Sequence, residues 1–175
     1  VEHIRYSVLA NEFNDACNWA EKAEKTTGLV EAWKRWKRAE AGFKRARDYP
    51  QSEQRAAACR EKKNQIANEC EERAKQAKQL MRQAQKQLAS DKADKNGKIQ
   101  GDFRKARDSV ETISAWQGVS QIICECNAGI KEAKQRTEEL ESQKYEAVGQ
   151  LVCYAVAAII VIGIFVIPIC RVLLS

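Results

Sequence analysis

Residues 147–170, "AVGQLVCYAVAAIIVIGIFVIPIC", run for 24 positions without a charged side chain. At about 1.5 Å of rise per residue, a helix of that length covers the roughly 30 Å hydrocarbon core of a bilayer with some tilt. A helix satisfies its own backbone in lipid, and the β-branched residues here do not prevent that. The alternative is a buried helix of a soluble protein, but a soluble helix of this length carries a polar face. A secretory signal would lie at the N-terminus and be shorter. The stretch therefore predicts one transmembrane helix.

Its flanks predict an orientation. Tyr154 lies where an interfacial aromatic can anchor, Gly163 and Pro168 lie deeper in the stretch, and Arg171 can reach the far headgroups. Lys131, Lys134, Arg136 and Lys144 precede the stretch and Arg171 alone follows it. That bias predicts a single-pass protein of the cell membrane with residues 1–146 on the cytoplasmic side. With only "RVLLS" beyond Cys170, the sequence as given reads as tail-anchored. It opens on Val1 rather than Met, so segments upstream are left open. The small residues Ala155, Ala157, Ala158 and Gly163 allow another helix to approach closely, although no GxxxG pair is present.

Residues 1–146 predict an all-α soluble domain. Two prolines and eight glycines in the whole chain leave few breakers, and 31% of it is charged. Four places punctuate the helical pattern. "TTGLV" (26–30) offers Thr26 or Thr27 as a cap and Gly28 as a terminator. "RDYPQS" (47–52) places Pro50 in the first turn of a new helix. "SDKADKNGK" (90–98) carries an Asn-Gly turn signal, and "WQGVS" (116–120) a lone Gly118.

The spacing Ala39, Phe43, Ala46, Tyr49, Cys59 recurs 67 residues later as Ala106, Val110, Ile113, Trp116, Cys126. The likeness lies in small, large and aromatic positions and not in charge. It predicts two related helical units, about 8–62 and 70–130, before the transmembrane helix at 147–170 and a short tail at 171–175. Ala39, Phe43, Ala46, Asp48, Tyr49, Ser52, Cys59, Arg60, Glu61 and Lys62 together resemble the degenerate TPR-like helical repeats of Firmicutes membrane proteins, in which such a unit precedes a membrane segment. The first-helix signature of a true TPR is not found. The resemblance implies a bacterial antiparallel helical-repeat domain, a scaffold for protein–protein interaction with coiled-coil character.

Residues 31–63 hold eleven Lys/Arg and five Asp/Glu, which accounts for the whole net charge of +6. Trp33, Trp36, Ala39, Phe43 and Ala46 share one helical face and read as core. Lys34, Lys37, Arg38, Lys44 and Arg45 fall on the opposite arc, a solvated face able to meet an anionic partner. Lipid is favoured over nucleic acid as that partner, since the domain already lies near a membrane.

Catalytic chemistry finds little to build on. His3 is the only histidine, and no P-loop, GxGxxG, HExxH or EF-hand spacing occurs. The seven cysteines are odd in number and widely spaced, so they read as reduced thiols in a cytosol-like compartment. Cys59, Cys70, Cys124 and Cys126 make a four-thiolate zinc set on paper, but residues two apart on a helix point about 200° from each other. Glu71/Glu72 and Glu138/Glu139 read as surface partners of nearby lysines. The sequence thus predicts no enzyme, no metal and no cofactor. It predicts a membrane-tethered scaffold or adaptor that meets a protein partner at the cytoplasmic face. The alternatives are an accessory subunit of a larger membrane complex and a basic module binding anionic lipid or, ranked last, nucleic acid. Homo-oligomerisation is left open.

Overall fold

The computed structural model describes residues 2–90 and 97–161. Among them lie five helices and no strand: α1 (Glu2–Glu24), α2 (Leu29–Arg45), α3 (Ser52–Ala89), α4 (Lys98–Glu111) and α5 (Val119–Val161). The all-α expectation holds for these residues.

Helix α3 contains no glycine or proline and one β-branched residue, Ile66, so nothing in its sequence stops it for 38 residues. Small and apolar positions recur along one stripe: Ser52, Ala56 and Cys59, then Cys70, Ala77, Met81, Ala84 and Leu88. The first part of the stripe closes a core with α1 and α2 around Ala16, Trp36, Ala39 and Phe43. The second part closes another with α4 and α5 around Phe103, Val110, Ile113, Ile122 and Cys126. Ile66 packs against both cores, and Val30 at the start of α2 belongs to the second. The chain therefore forms two three-helix layers that share α3.

The two corners have the same backbone geometry. Between α2 and α3, Tyr49 N–H donates to Ala46 O at 2.8 Å and Ser52 N–H to Tyr49 O at 3.2 Å. Sixty-seven positions on, Trp116 N–H donates to Ile113 O at 2.8 Å and Val119 N–H to Trp116 O at 3.1 Å. The residue before each following helix is left-handed: Gln51 with φ 66° and Gly118 with φ 79°. Glycine adopts that conformation freely, whereas Gln51 does so at a cost. Ala39, Phe43, Ala46 and Cys59 are buried, and so are Ala106, Val110, Ile113 and Cys126. Phe43 beside Ala46 fills about the space of Val110 beside Ile113, the kind of volume exchange that cores tolerate.

The first helix of each layer corresponds at a spacing of 68, one residue more. Phe13, Ala16 and Ala20 on α1 answer to Met81, Ala84 and Leu88 on α3. Each end is pinned by an arginine from a neighbouring helix. Arg35 on α2 donates to Lys22 O at 3.2 Å, and Arg136 on α5 donates to Leu88 O at 2.6 Å. Both satisfy carbonyls that a helix C-terminus leaves without intrahelical partners.

Four sequence expectations differ in detail. Trp33 is only half-buried and faces the second layer, where its ring meets Trp116 edge-on at 5.4 Å. Thr26 caps the end of α1, donating to Lys22 O at 2.6 Å, while Gly28 precedes α2 without a side-chain cap. Pro50 sits in the corner turn, two residues before α3 begins. No break marks position 146, because α5 runs unbroken from the second core into the apolar stretch. Residues 91–96 of the third break, and the segment 162–175 with Gly163, Pro168, Cys170 and Arg171, lie outside the described residues.

Close helix packing is set by Gly42, where an added Cβ would stand 2.8 Å from Ala16 Cβ. Gly101, inside α4, has open space at the same point. Gly42→Ala is expected to lower stability by about 1–3 kcal/mol through overpacking. Gly101→Ala is expected to raise it by about 0.5–1 kcal/mol by restricting the unfolded chain and favouring helix. Thermal unfolding of the full chain in detergent, followed by far-UV circular dichroism, checks both signs.

Candidate interaction surface

The predicted anionic-partner face is exposed, but its cations are engaged in different directions. Lys34 lies 3.9 Å from Glu31. The Lys37 ammonium sits 5.1 Å from the centre of the Trp33 ring, and the Arg38 guanidinium 4.7 Å from that of Trp19 on α1. Arg45 pairs with Glu12 of α1 at 3.2 Å, while Lys44 lies 2.7 Å from Glu40. The arrangement disperses these five residues between α1, the α3 side and the second layer.

Glu40 gathers one of these five, Lys44, together with two cations of α3. Its side chain is only 5% exposed, yet it receives Lys44 at 2.7 Å, Arg60 at 3.2 Å and Lys63 at 2.6 Å. Arg60 and Lys63 come from α3, so Glu40 fastens α2 to the shared helix. Burial disfavours its charge, but the three hydrogen bonds outweigh that cost and bring its pKa down to about 2. Sequence reading missed this role, because one acid in a basic run looks like a surface partner.

The cysteines occupy separate places. Cys59 lies in the first core, Cys70 and Cys126 in the second, and Cys124 is exposed. Burial pushes the Cys59 thiol up to about 11, with the Glu40 charge adding to the effect. Burial likewise raises Cys70 and Cys126. Protonated buried thiols of this kind are poor nucleophiles. Among the described residues, no group of three His, Cys, Asp or Glu side chains is placed to hold a metal ion. His3 is exposed in the first turn of α1.

The open concave surface lies elsewhere. A cavity of about 370 Å³ between the layers is lined by Val30, Trp33, Lys34 and Trp116 among others. It shares Glu71, Trp116 and Gln117 with a second cavity of about 410 Å³, which runs along Lys75, Lys78 and Arg82 of α3. A third, of about 300 Å³, shares Lys78 and Arg82 with the second and ends by Met81 and Ile122. The three form one trough beside the second corner. Lys34 belongs to the predicted face, but Lys75, Lys78 and Arg82 lie outside it, and their stretch of Lys and Gln gives no composition signal to mark them.

Tyr154, the predicted interfacial anchor, is exposed on α5. The other three anchor residues, Gly163, Pro168 and Arg171, fall in the segment outside the description. No protein-family model, curated protein or solved structure matches the chain.

Glu40 links stability to acid. Its folded pKa lies below the ordinary 4.5, so its contribution is complete above that value and fades as pH falls through about 2. Glu40→Gln is expected to cost about 1–3 kcal/mol at neutral pH, because three cations lose their shared acceptor. The variant is also expected to lose less stability than the wild type on acidification below that ordinary value. Denaturant titrations at a series of pH values check both.

Proposed function

We propose that this chain is a membrane-tethered α-helical scaffold, which holds its helical layers at the cytoplasmic face to engage a protein partner. One observation carries the reading. Helix α5 is buried at Val119, Ile122, Cys126 and Ala133, then continues without a break to Val161 with every residue from 141 onward exposed. That part is long and apolar enough to cross a membrane. Val148, Leu151, Tyr154, Val156, Ile160 and Val161 project on all sides of the helix, and no other described residue buries them. Water penalises such a surface and lipid does not.

The polar segment 138–146, "EELESQKYE", separates core from apolar stretch by about 13 Å of helix. On this reading the layers stand clear of the bilayer on a stiff stalk. Lys131, Lys134, Arg136 and Lys144 before the span favour the cytoplasmic side. The matched corners at Tyr49 and Trp116 support two related helical units of the TPR-like kind. An antiparallel helical array with few constraints on its outer faces suits an adaptor.

Two lysines near the middle of the span test the tether. Each charge there costs about 2.5–3.5 kcal/mol of insertion free energy. The wild-type chain is expected to remain in the membrane pellet after an alkaline carbonate wash, and the Val156→Lys/Ile159→Lys variant is expected to move to the supernatant. Wild-type protein released by carbonate contradicts the tether.

A further inference from the structure

The two corners match in backbone but not in what fills the space before them. In the first layer the corner aromatic, Tyr49, packs against two aromatics of the first helix, Tyr6 at 5.4 Å and Phe13 at 4.7 Å between ring centroids. In the second layer the residues 68 positions on are Ala74 and Met81. Met81 fills its place in the second core, but Ala74 does not fill the place of a ring, so Trp116 keeps one aromatic neighbour, Trp33, and the volume that Tyr6 occupies in the first layer is open as the trough along α3.

Four cations, Lys34, Lys75, Lys78 and Arg82, line the trough against two acids, Glu71 and, at its far end, Glu125. Lys75 lies 3.8 Å from Glu72, while among the described residues Lys78 and Arg82 have no carboxylate within 4.0 Å. Glu71 is the one acid lining the part beside Trp116. Uncompensated cations beside a half-buried tryptophan fit an anionic segment that also carries an aromatic ring. If α5 crosses the membrane, lipid is a poor candidate for that anion. The trough meets α5 at its first turns, by Gly118 and Gln121, and the apolar stretch begins about 42 Å of helix further on. That is several times the screening length of physiological salt.

We propose that this trough is the docking site for an acidic segment of a partner protein, with an aromatic side chain seated against Trp116 where the first layer places Tyr6. The proposal rests on the scaffold reading and gives that scaffold its contact surface.

The test uses the full chain in neutral-lipid nanodiscs, panned against a random-peptide library. Enrichment of acidic peptides with one aromatic residue is expected. A fluorescein-labelled member of that set should lose at least about 10-fold in affinity for Lys78→Glu/Arg82→Glu, since two charge contacts become repulsions. Ala74→Tyr, which restores the ring present in the first layer, should also abolish binding without lowering the thermal midpoint. Lys98→Glu/Arg104→Glu, exposed on α4 and outside the trough, should leave it unchanged. Enrichment of peptides without acidic character overturns the proposal, as does equal binding to wild type and Lys78→Glu/Arg82→Glu. So does displacement of the labelled peptide by anionic vesicles in the wild type alone, which assigns the trough to lipid. Failure of the scaffold reading is distinguishable: it appears as loss of the chain from carbonate-washed membranes, whatever the trough binds.

Discussion

Two helices in this chain continue past the packing they complete, and the rest of the structure depends on that continuity. Helix α3 closes the first core with its N-terminal half and the second with its C-terminal half, with Ile66 touching both. Helix α5 closes the second core and then extends beyond it. A sequence free of glycine and proline makes α3 possible, and tertiary contact along most of its length keeps it helical. Because the joints are helical and not looped, the orientation of one layer constrains the next.

The same continuity explains where the charge goes. The excess of +6 in residues 31–63 looks like a patch when read along the chain. In three dimensions α2 is flanked by α1 and α3, and its cations divide between Glu12, Glu40 and the rings of Trp19 and Trp33. Glu40 alone draws Lys44, Arg60 and Lys63. Among the described residues, Lys78 and Arg82 on α3 in the second layer are cations without an acid within reach, and the linear charge count gives no warning of them.

What could be read in advance was local or periodic. The helix breaks follow from Gly28, Pro50 and Gly118, and burial of Ala39, Phe43 and Ala46 follows from their spacing, since a helical face is defined within a few turns. Trp33 shares that spacing, but its neighbour is Trp116, far along the chain, and no local pattern carries such a contact. The burial of Glu40 likewise depends on α3 arriving over it. The trough had a signal in the 68-residue register, where Tyr6 gives way to Ala74. Reading that signal requires knowing that those positions face the corner. Continuity through position 146 was hidden for a different reason: a change from polar to apolar composition looks like a boundary, and a helix backbone is indifferent to it.

The central claim is that one rigid helix joins the second core to the apolar stretch. Nitroxide labels at Ser120 and Gln150, both exposed on α5, measure it directly. They are introduced through an encoded unnatural amino acid, so that the native cysteines stay in place, and the full chain is held in nanodiscs. Pulsed electron–electron double resonance is expected to give one narrow distance distribution centred at about 45 Å, the rise of unbroken helix between those positions. A broad distribution, or one centred well below that distance, would mean that α5 breaks between the second core and the apolar stretch, and it would contradict the account.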